Sequence, residues 1–288
     1  MGASDPLTAV GGDVRPLYEA ARGFERDRYL AALLAPADAR EDLVTLAAYL
    51  GELQRIPLLA QDVTIGEIRL QWWRDALQAA PGVASGHPVA DAVRALAARR
   101  DLSTEALLRP IEGRSRELYE DGIRDEDELL AYADETEGSA FRIAHGMIAG
   151  AAPSEISEFS RNAGRALAFT RLALSLPQHL ALGRLPLPAA FVGRARDPRG
   201  ADEGVARGAA RELSALLGVE ARAYLARFRG DQARLGGGEL AAFLPLCLVE
   251  PYLQAALKPG RDVLLELADI SPLSRVVRLW FARWRGRI

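Results

Sequence analysis

Between Thr170 and Arg184 of the stretch TRLALSLPQHLALGRLPLP (170–188), four polar side chains interrupt an otherwise apolar run: Arg171, Ser175, Gln178 and His179. At offsets of 0, 4, 7 and 8 residues they share one face of a helix. None is an acid, so the stripe alone offers no seat for a hard divalent cation, which takes oxygen ligands in near-octahedral geometry and is anchored by carboxylates. What Arg171 offers instead is a fixed fork of donors for a phosphate or carboxylate. A second set of candidates falls on LVTLAAYLGELQRIPLLAQ (43–61), where Tyr49, Glu52 and Arg55 or Ile56 stand at inward helical spacing. Two arrangements are open to these residue types: the stripe accepts an anionic head group without metal, or Arg171 pairs with Glu52 or points outward. No residue in either stripe is assigned a catalytic or metal-ligating role.

Other chemistry is scarce. No Gly-rich phosphate loop, HExxH or GxSxG pattern occurs. His87 and His145 stand apart from other ligand types and read as hydrogen-bonding residues, because zinc needs three or four ligands together. Cys247 is the single cysteine, which excludes an intrachain disulfide and a Cys-based zinc site and suits a small core residue in a reducing compartment. Lys plus Arg is 36 against 39 for Asp plus Glu, so a net charge of −3 gives no electrostatic case for nucleic acid as a partner. Lys258 is the only lysine; that arginine excess, with abundant Ala and Gly, points to a GC-rich bacterial genome.

The elements that must position these side chains read as all-α. Leu, Ala, Arg and Glu recur at helical spacing, and no run alternates β-branched residues. Gly/Pro-rich breaks at 81–88, 193–204 and 229–239 separate helices predicted near 16–34, 38–57, 64–79, 88–99, 103–120, 126–149, 154–182, 203–228, 239–257 and 272–285. Pro57 should end or bend the second. No break is long enough for an interdomain linker and no repeat appears, which gives a flexible N-terminus over 1–14 and one domain over 15–288. The opening MGASDPLTAVGG carries an early acid and no apolar core, and no apolar run reaches the ~18 residues of a spanning helix, so a cytoplasmic protein is expected.

Three stretches carry a packing and a functional reading together. Adjacent Trp72 and Trp73 cannot face one way on a helix, so one belongs to the core and the other covers a groove or a neighbouring helix. Gly138, Ser139 and Ala140 in mid-helix imply close helix packing, room for a ligand chain or an unwound turn. SPLSRVVRLWFARWRGRI (271–288) sets Trp280, Phe281 and Trp284 among arginines that include Arg278. It is either a final helix with its aromatics packed inward or a contact for the edge of an anionic bilayer.

End to end, these segments resemble the squalene/phytoene synthase family over roughly residues 16 to 285. In that family the second acidic motif runs from an L-Q-L-T-N helix through D-x-x-x-D to G-R-x-Y-L-P. Here Leu167, Thr170, Gly183, Arg184, Leu187 and Pro188 keep that frame, while Ser175 and His179 fall on the two Asp positions, Arg171 on the Asn and Gln178 on the acid beside the last Asp. Tyr132 and Gly138-Ser139 echo another family segment. The first acidic motif is replaced by GELQRIP (51–57), which leaves Glu52 as its only acid.

The resemblance implies an isoprenoid synthase fold, a helical bundle around a central cavity. The family's carboxylates hold Mg²⁺ ions that clamp prenyl diphosphates, and this chain departs from it at those positions. The pattern FERDRYLAALL…GELQRIP…GEIRLQWWRDAL resembles one branch in particular, divergent members that lack the acidic motifs and are related to the mitochondrial complex I assembly factor of the superfamily. That branch implies a non-catalytic binding or assembly role with no cofactor, peripheral on the inner membrane, with membrane respiratory subunits or a prenyl or anionic lipid as partners. The alternatives are a squalene- or phytoene-type transferase acting on farnesyl or geranylgeranyl diphosphate with Mg²⁺ and an atypical site, needing Glu52 plus acids such as Asp62, Asp121 or Asp125, and a metal-free carrier of prenyl lipid.

Overall fold

The computed structural model describes residues 15–150, 157–236 and 238–288, and no strand occurs among them. The expected flexible segment 1–14 lies outside the described residues. Among the described residues thirteen α-helices follow one another: α1 (Arg15–Phe24), α2 (Arg26–Leu33), α3 (Ala37–Leu59), α4 (Val63–Gln78), α5 (Pro88–Arg100), α6 (Thr104–Arg116), α7 (Glu126–Ala133), α8 (Ser139–Ala149), α9 (Glu158–Ala181), α10 (Ala189–Val192), α11 (Glu203–Asp231), α12 (Val249–Ala256) and α13 (Pro272–Arg285). Their starts follow local chemistry. Asp62, Ser103, Asp125, Ser157 and Ser271 each accept a hydrogen bond from a backbone N–H of the first turn they precede, and proline opens α5 and α13, where its missing N–H costs nothing.

Three predicted helices are interrupted, two of them where the interior needs a carboxylate. The element expected over 16–34 breaks at Glu25, whose φ of −127° and ψ of 51° leave the helix between α1 and α2. The element expected over 126–149 is continuous but contains a π turn, Asp134–Gly138, between α7 and α8. Glu137, within that turn, is buried, and π turns are frequent at functional sites. Over 239–257, a 3₁₀ segment (Glu239–Leu248) precedes α12 and contains Pro245, which cannot donate an i→i−4 bond. Pro57 does not end α3; the helix runs two residues further, to Leu59. Arg184, from the turn after α9, donates to the carbonyls of Pro57 (3.2 Å) and Ala60 (2.5 Å), satisfying acceptors at that helix end.

One apolar cluster joins residues from Ala20 in α1 to Ala282 in α13. Within it α9 packs against α7, α8, α11, α12 and the π turn. The approach of α9 to the π turn is a backbone contact: a Cβ on Gly164 would lie 2.4 Å from Gly138 Cα and N. The close approach depends on the glycine at 164, since a Cβ on Gly138 would meet nothing nearer than the Ala133 carbonyl oxygen at 3.4 Å. Trp73 is buried and Trp72 half out, edge to edge at 5.3 Å, as adjacent helical positions require. Helix α13 buries Arg275, Leu279 and Ala282, so its aromatics do not pack inward: Trp280 and Trp284 are 55% and 68% exposed. Among the described residues no helix is long and apolar enough to cross a membrane.

Candidate functional site

The α1–α2 joint at Glu25, α3, α6, α7, α9, α12 and α13 converge on a cavity of about 440 Å³. All four residues of the α9 stripe, Arg171, Ser175, Gln178 and His179, line it. Spacing alone places them there: positions i, i+4, i+7 and i+8 subtend one face, and α9 turns its apolar residues Leu172, Ala173 and Leu176 into the core.

From α3 the expected residues do not arrive. Gln54 and Leu58 line the cavity, while Glu52 and Arg55 pair with each other at 3.4 Å in a separate surface groove with Ile56, Leu59, Ile68, Trp72 and His87. The helix phase decides this. Gly51 packs on the α1–α2 joint so closely that a Cβ there would meet Phe24 Cβ at 2.8 Å, which points Gln54, three residues on, at the centre. Arg55 instead stacks on the outer face of Phe24, 3.8 Å from its ring centroid. Tyr49 is fully buried behind the cavity, donating to the Leu107 carbonyl and packed edge-on to Trp73.

The cavity is not short of acids, although neither motif segment supplies them. Glu25, Asp27 and Glu117 line it, and Glu137 lies beneath Arg171. Glu25 and Asp27 come from the α1–α2 joint and the first turn of α2, Glu117 from the end of α6 and Glu137 from the π turn, all outside those segments. Each has a cationic partner. Arg171 grips Glu25 bidentately, at 2.5 and 2.7 Å, donates to Gln54 at 2.7 Å and reaches Glu137 at 3.1 Å. Arg28 also donates to Glu137, and Arg114 bridges Glu137 at 2.8 Å and Glu117 at 2.5 Å. Tyr132 donates to Glu117 at 2.8 Å. Three arginines thus balance three glutamates. Burial would raise the Glu137 carboxyl pKa, but Arg171, Arg28 and Arg114 outweigh it and hold the group well below the usual carboxylate range. Glu137 is an anion already neutralised.

At the far wall, Tyr252 donates to Asp27 at 2.7 Å, and Arg275 of α13 lies 2.6 Å from Asp27 and 2.6 Å from Asp269. Burial raises the Asp27 carboxyl despite Tyr252 and Arg275. The remaining acids that a transferase would need are elsewhere. Asp62 and Asp125 cap α4 and α7, and Asp121 is exposed.

This donor set does not fit a cluster of Mg²⁺ ions. The guanidinium of Arg171 sits between Glu25 and Glu137, where a cation bridging two carboxylates would have to lie. Ser175 donates back to its own helix at the Arg171 carbonyl (2.8 Å), and His179 is a nitrogen donor. Among the described residues no three His, Cys, Asp or Glu side chains form a group able to hold a metal ion.

His179 is the buried group of the stripe that can titrate near neutrality. Burial pushes its pKa below the ordinary 6.5; Glu117 pulls it up, and Arg114 and Arg184 push it further down. A base with a depressed native pKa binds more protons when unfolded, so stability should fall as pH drops below about 6.5, by at most about 1.4 kcal/mol per pH unit. Loss through Glu137 follows only at lower pH, below its ordinary 4.5. His179→Gln should flatten the upper window in urea titrations between neutral pH and the onset of acid unfolding; an unchanged slope would remove His179 as its source. The other two histidines are structural. His145 meets Glu239 at 3.2 Å, and His87 packs its ring on Trp72 and Trp73. The Nδ1 of His87 has no hydrogen-bond partner among the described residues.

The bundle and its cavity define a class. Residues 21–280 match the squalene/phytoene synthase family, and the chain belongs to it. Squalene synthase HpnC from Alicyclobacillus acidocaldarius shares the fold, with a TM-score of 0.58 over 95% of both chains at 18% identity. Within the family, rat and bovine proteins named NADH dehydrogenase (ubiquinone) complex I, assembly factor 6 are each 24% identical to this chain. The rat match spans 92% of this chain and 81% of its relative, and the bovine match 99% and 86%.

Proposed function

We propose that this chain is a non-catalytic member of the squalene/phytoene synthase family, a binding or assembly protein that works beside the inner membrane on respiratory complex I. The observation that carries the loss of catalysis is the position of Arg171. Ionising an allylic diphosphate requires cations that neutralise the leaving group, and such stabilisation is worth several kcal/mol, hence orders of magnitude in rate. Here the carboxylates that would anchor those cations are spent on Arg171, Arg28 and Arg114. Two mammalian relatives that align along most of this chain carry the name of a complex I assembly factor, which supports the direction of the assembly reading.

Purified protein incubated with farnesyl or geranylgeranyl diphosphate and Mg²⁺ should release no diphosphate above a heat-killed control, and the tagged protein should co-purify with membrane respiratory subunits. Mg²⁺-stimulated release would instead make it a transferase. The cavity keeps a volume within the range that holds small ligands, about 440 Å³, which favours a lipid-carrier reading as the second choice. Thermal stabilisation by a prenyl diphosphate without turnover would mark that role, because a ligand bound only by the native state raises its apparent stability.

A further inference from the structure

The outer face of α13 is covered by no other element of the described fold. Leu273, Val276, Val277, Trp280, Phe281 and Trp284 recur at i, i+3, i+4, i+7, i+8 and i+11, the spacing of one helical stripe, and all six are exposed, from 37% for Phe281 to 73% for Leu273. An amphipathic helix ordinarily turns such a stripe to the core; α13 turns it to solvent and packs through a narrow edge. The rings order one another there: Trp280 and Trp284 stack at 6.2 Å, and the Arg285 guanidinium lies 3.9 Å over the Phe281 ring. The strap before α13 extends the patch with Leu265 and Leu267, 76% and 58% exposed. Leu267, Ala268 and Asp269 of that strap also wall the central cavity.

Charge selects the occupant. Arg278, Arg285 and Arg287 flank the stripe together with Arg283, which also donates to the Leu34 carbonyl; no acid occurs from Pro272 to Ile288, the strap's acids being Glu266 and the Arg275-paired Asp269, although the whole chain carries a net charge of −3. A second copy docking through this face would set arginine against arginine. An apolar, Trp-bearing stripe edged by arginines matches the boundary between acyl chains and anionic head groups.

We propose that α13, with Leu265 and Leu267, docks the protein on an anionic phospholipid bilayer. The aromatic stripe enters the head-group boundary, the arginines meet phosphates, and the strap places the wall of the central cavity against the membrane. This deepens the membrane-proximal part of the proposed function and rests on it for location; the assay below contains no respiratory subunit, so its failure leaves the co-purification result standing.

The full chain is floated with vesicles of phosphatidylcholine alone and with vesicles in which roughly one third is phosphatidylglycerol, at low and high salt. It should float only with the anionic vesicles, less at high salt, with a blue shift of tryptophan emission. Trp280→Ser/Trp284→Ser and Arg278→Glu/Arg285→Glu should each lower the bound fraction at least about tenfold. Their melting temperatures should stay unchanged, because these side chains lie outside the core. Absence of wild-type flotation, or variants that float as well as wild type, would overturn the proposal. Self-association that rises with concentration and disappears in the tryptophan variant, without flotation, would give the face to a second copy and overturn it equally.

Discussion

Arg171→Ala is expected to lower the unfolding free energy by about 3–5 kcal/mol in urea titration, the loss typical of breaking a buried ion pair from one side. Arg171 is the hub of the cavity: its two terminal nitrogens hold Glu25, Gln54 and Glu137, residues drawn from the α1–α2 joint, α3 and the π turn. The Glu25 side chain is only 1% exposed. Removing the guanidinium leaves that largely desolvated carboxylate with only a longer contact to Arg28, at 3.5 Å. Removing both charges should behave differently. In Arg171→Met/Glu25→Gln the desolvation cost disappears with the pair, and buried pairs exchanged for groups of similar volume are often neutral or better. The double variant should therefore recover part of the loss, and in a cycle whose single variants are Arg171→Met and Glu25→Gln the coupling energy should be about 1–3 kcal/mol. An Arg171→Ala variant within about 0.5 kcal/mol of wild type would show that the network contributes no more than exposed pairs do.

The same residue marks how far the sequence could be read. The α9 stripe was legible because helix periodicity is local: four polar positions at one phase can reach only one face. The helical class and most helix spans followed from the same rule, with Ser, Asp and Pro marking starts. The partners of Arg171 were not legible. Glu25 stands in a run that scans as continuous helix, and its bond to a guanidinium 146 residues away leaves no trace in local periodicity. Glu137 stands four residues from both Ala133 and Phe141, on a buried phase, but periodicity cannot say that three arginines from other helices meet it there. Gln54 displaced Glu52 and Arg55 by about 200° and 100° of helix rotation, a difference fixed by how Gly51 meets Phe24 and not by composition. On α13 the pattern was plain but its direction was not, since amphipathicity states that two faces differ and leaves open which one meets the core.

Gly164→Ala should destabilise the protein by about 1–3 kcal/mol or more, against the sign that helix propensity gives. An alanine in mid-helix gains up to about 1 kcal/mol over glycine, so an isolated α9 would be strengthened. In the folded chain the new methyl carbon would sit 2.4 Å from Gly138 Cα, 2.4 Å from Gly138 N and 3.0 Å from the Glu137 carbonyl carbon. Those are backbone atoms of the π turn, which has no rotamer to change, so α9 and the turn must separate. Separation moves Glu137 away from Arg171, Arg28 and Arg114 and loosens the cavity network along with the packing. The control lies on α11, where a methyl added at Gly204 or Gly208 would have nothing within 4 Å and the backbone is helical in the same way. Gly208→Ala should stabilise by a few tenths to about 1 kcal/mol. Opposite signs for one substitution at two helical glycines, read as midpoint shifts in urea at constant m-value, would tie the loss at 164 to the meeting of two backbones. A stabilised Gly164→Ala variant would mean that the turn can yield, and that its grip on Glu137 is not set by this contact.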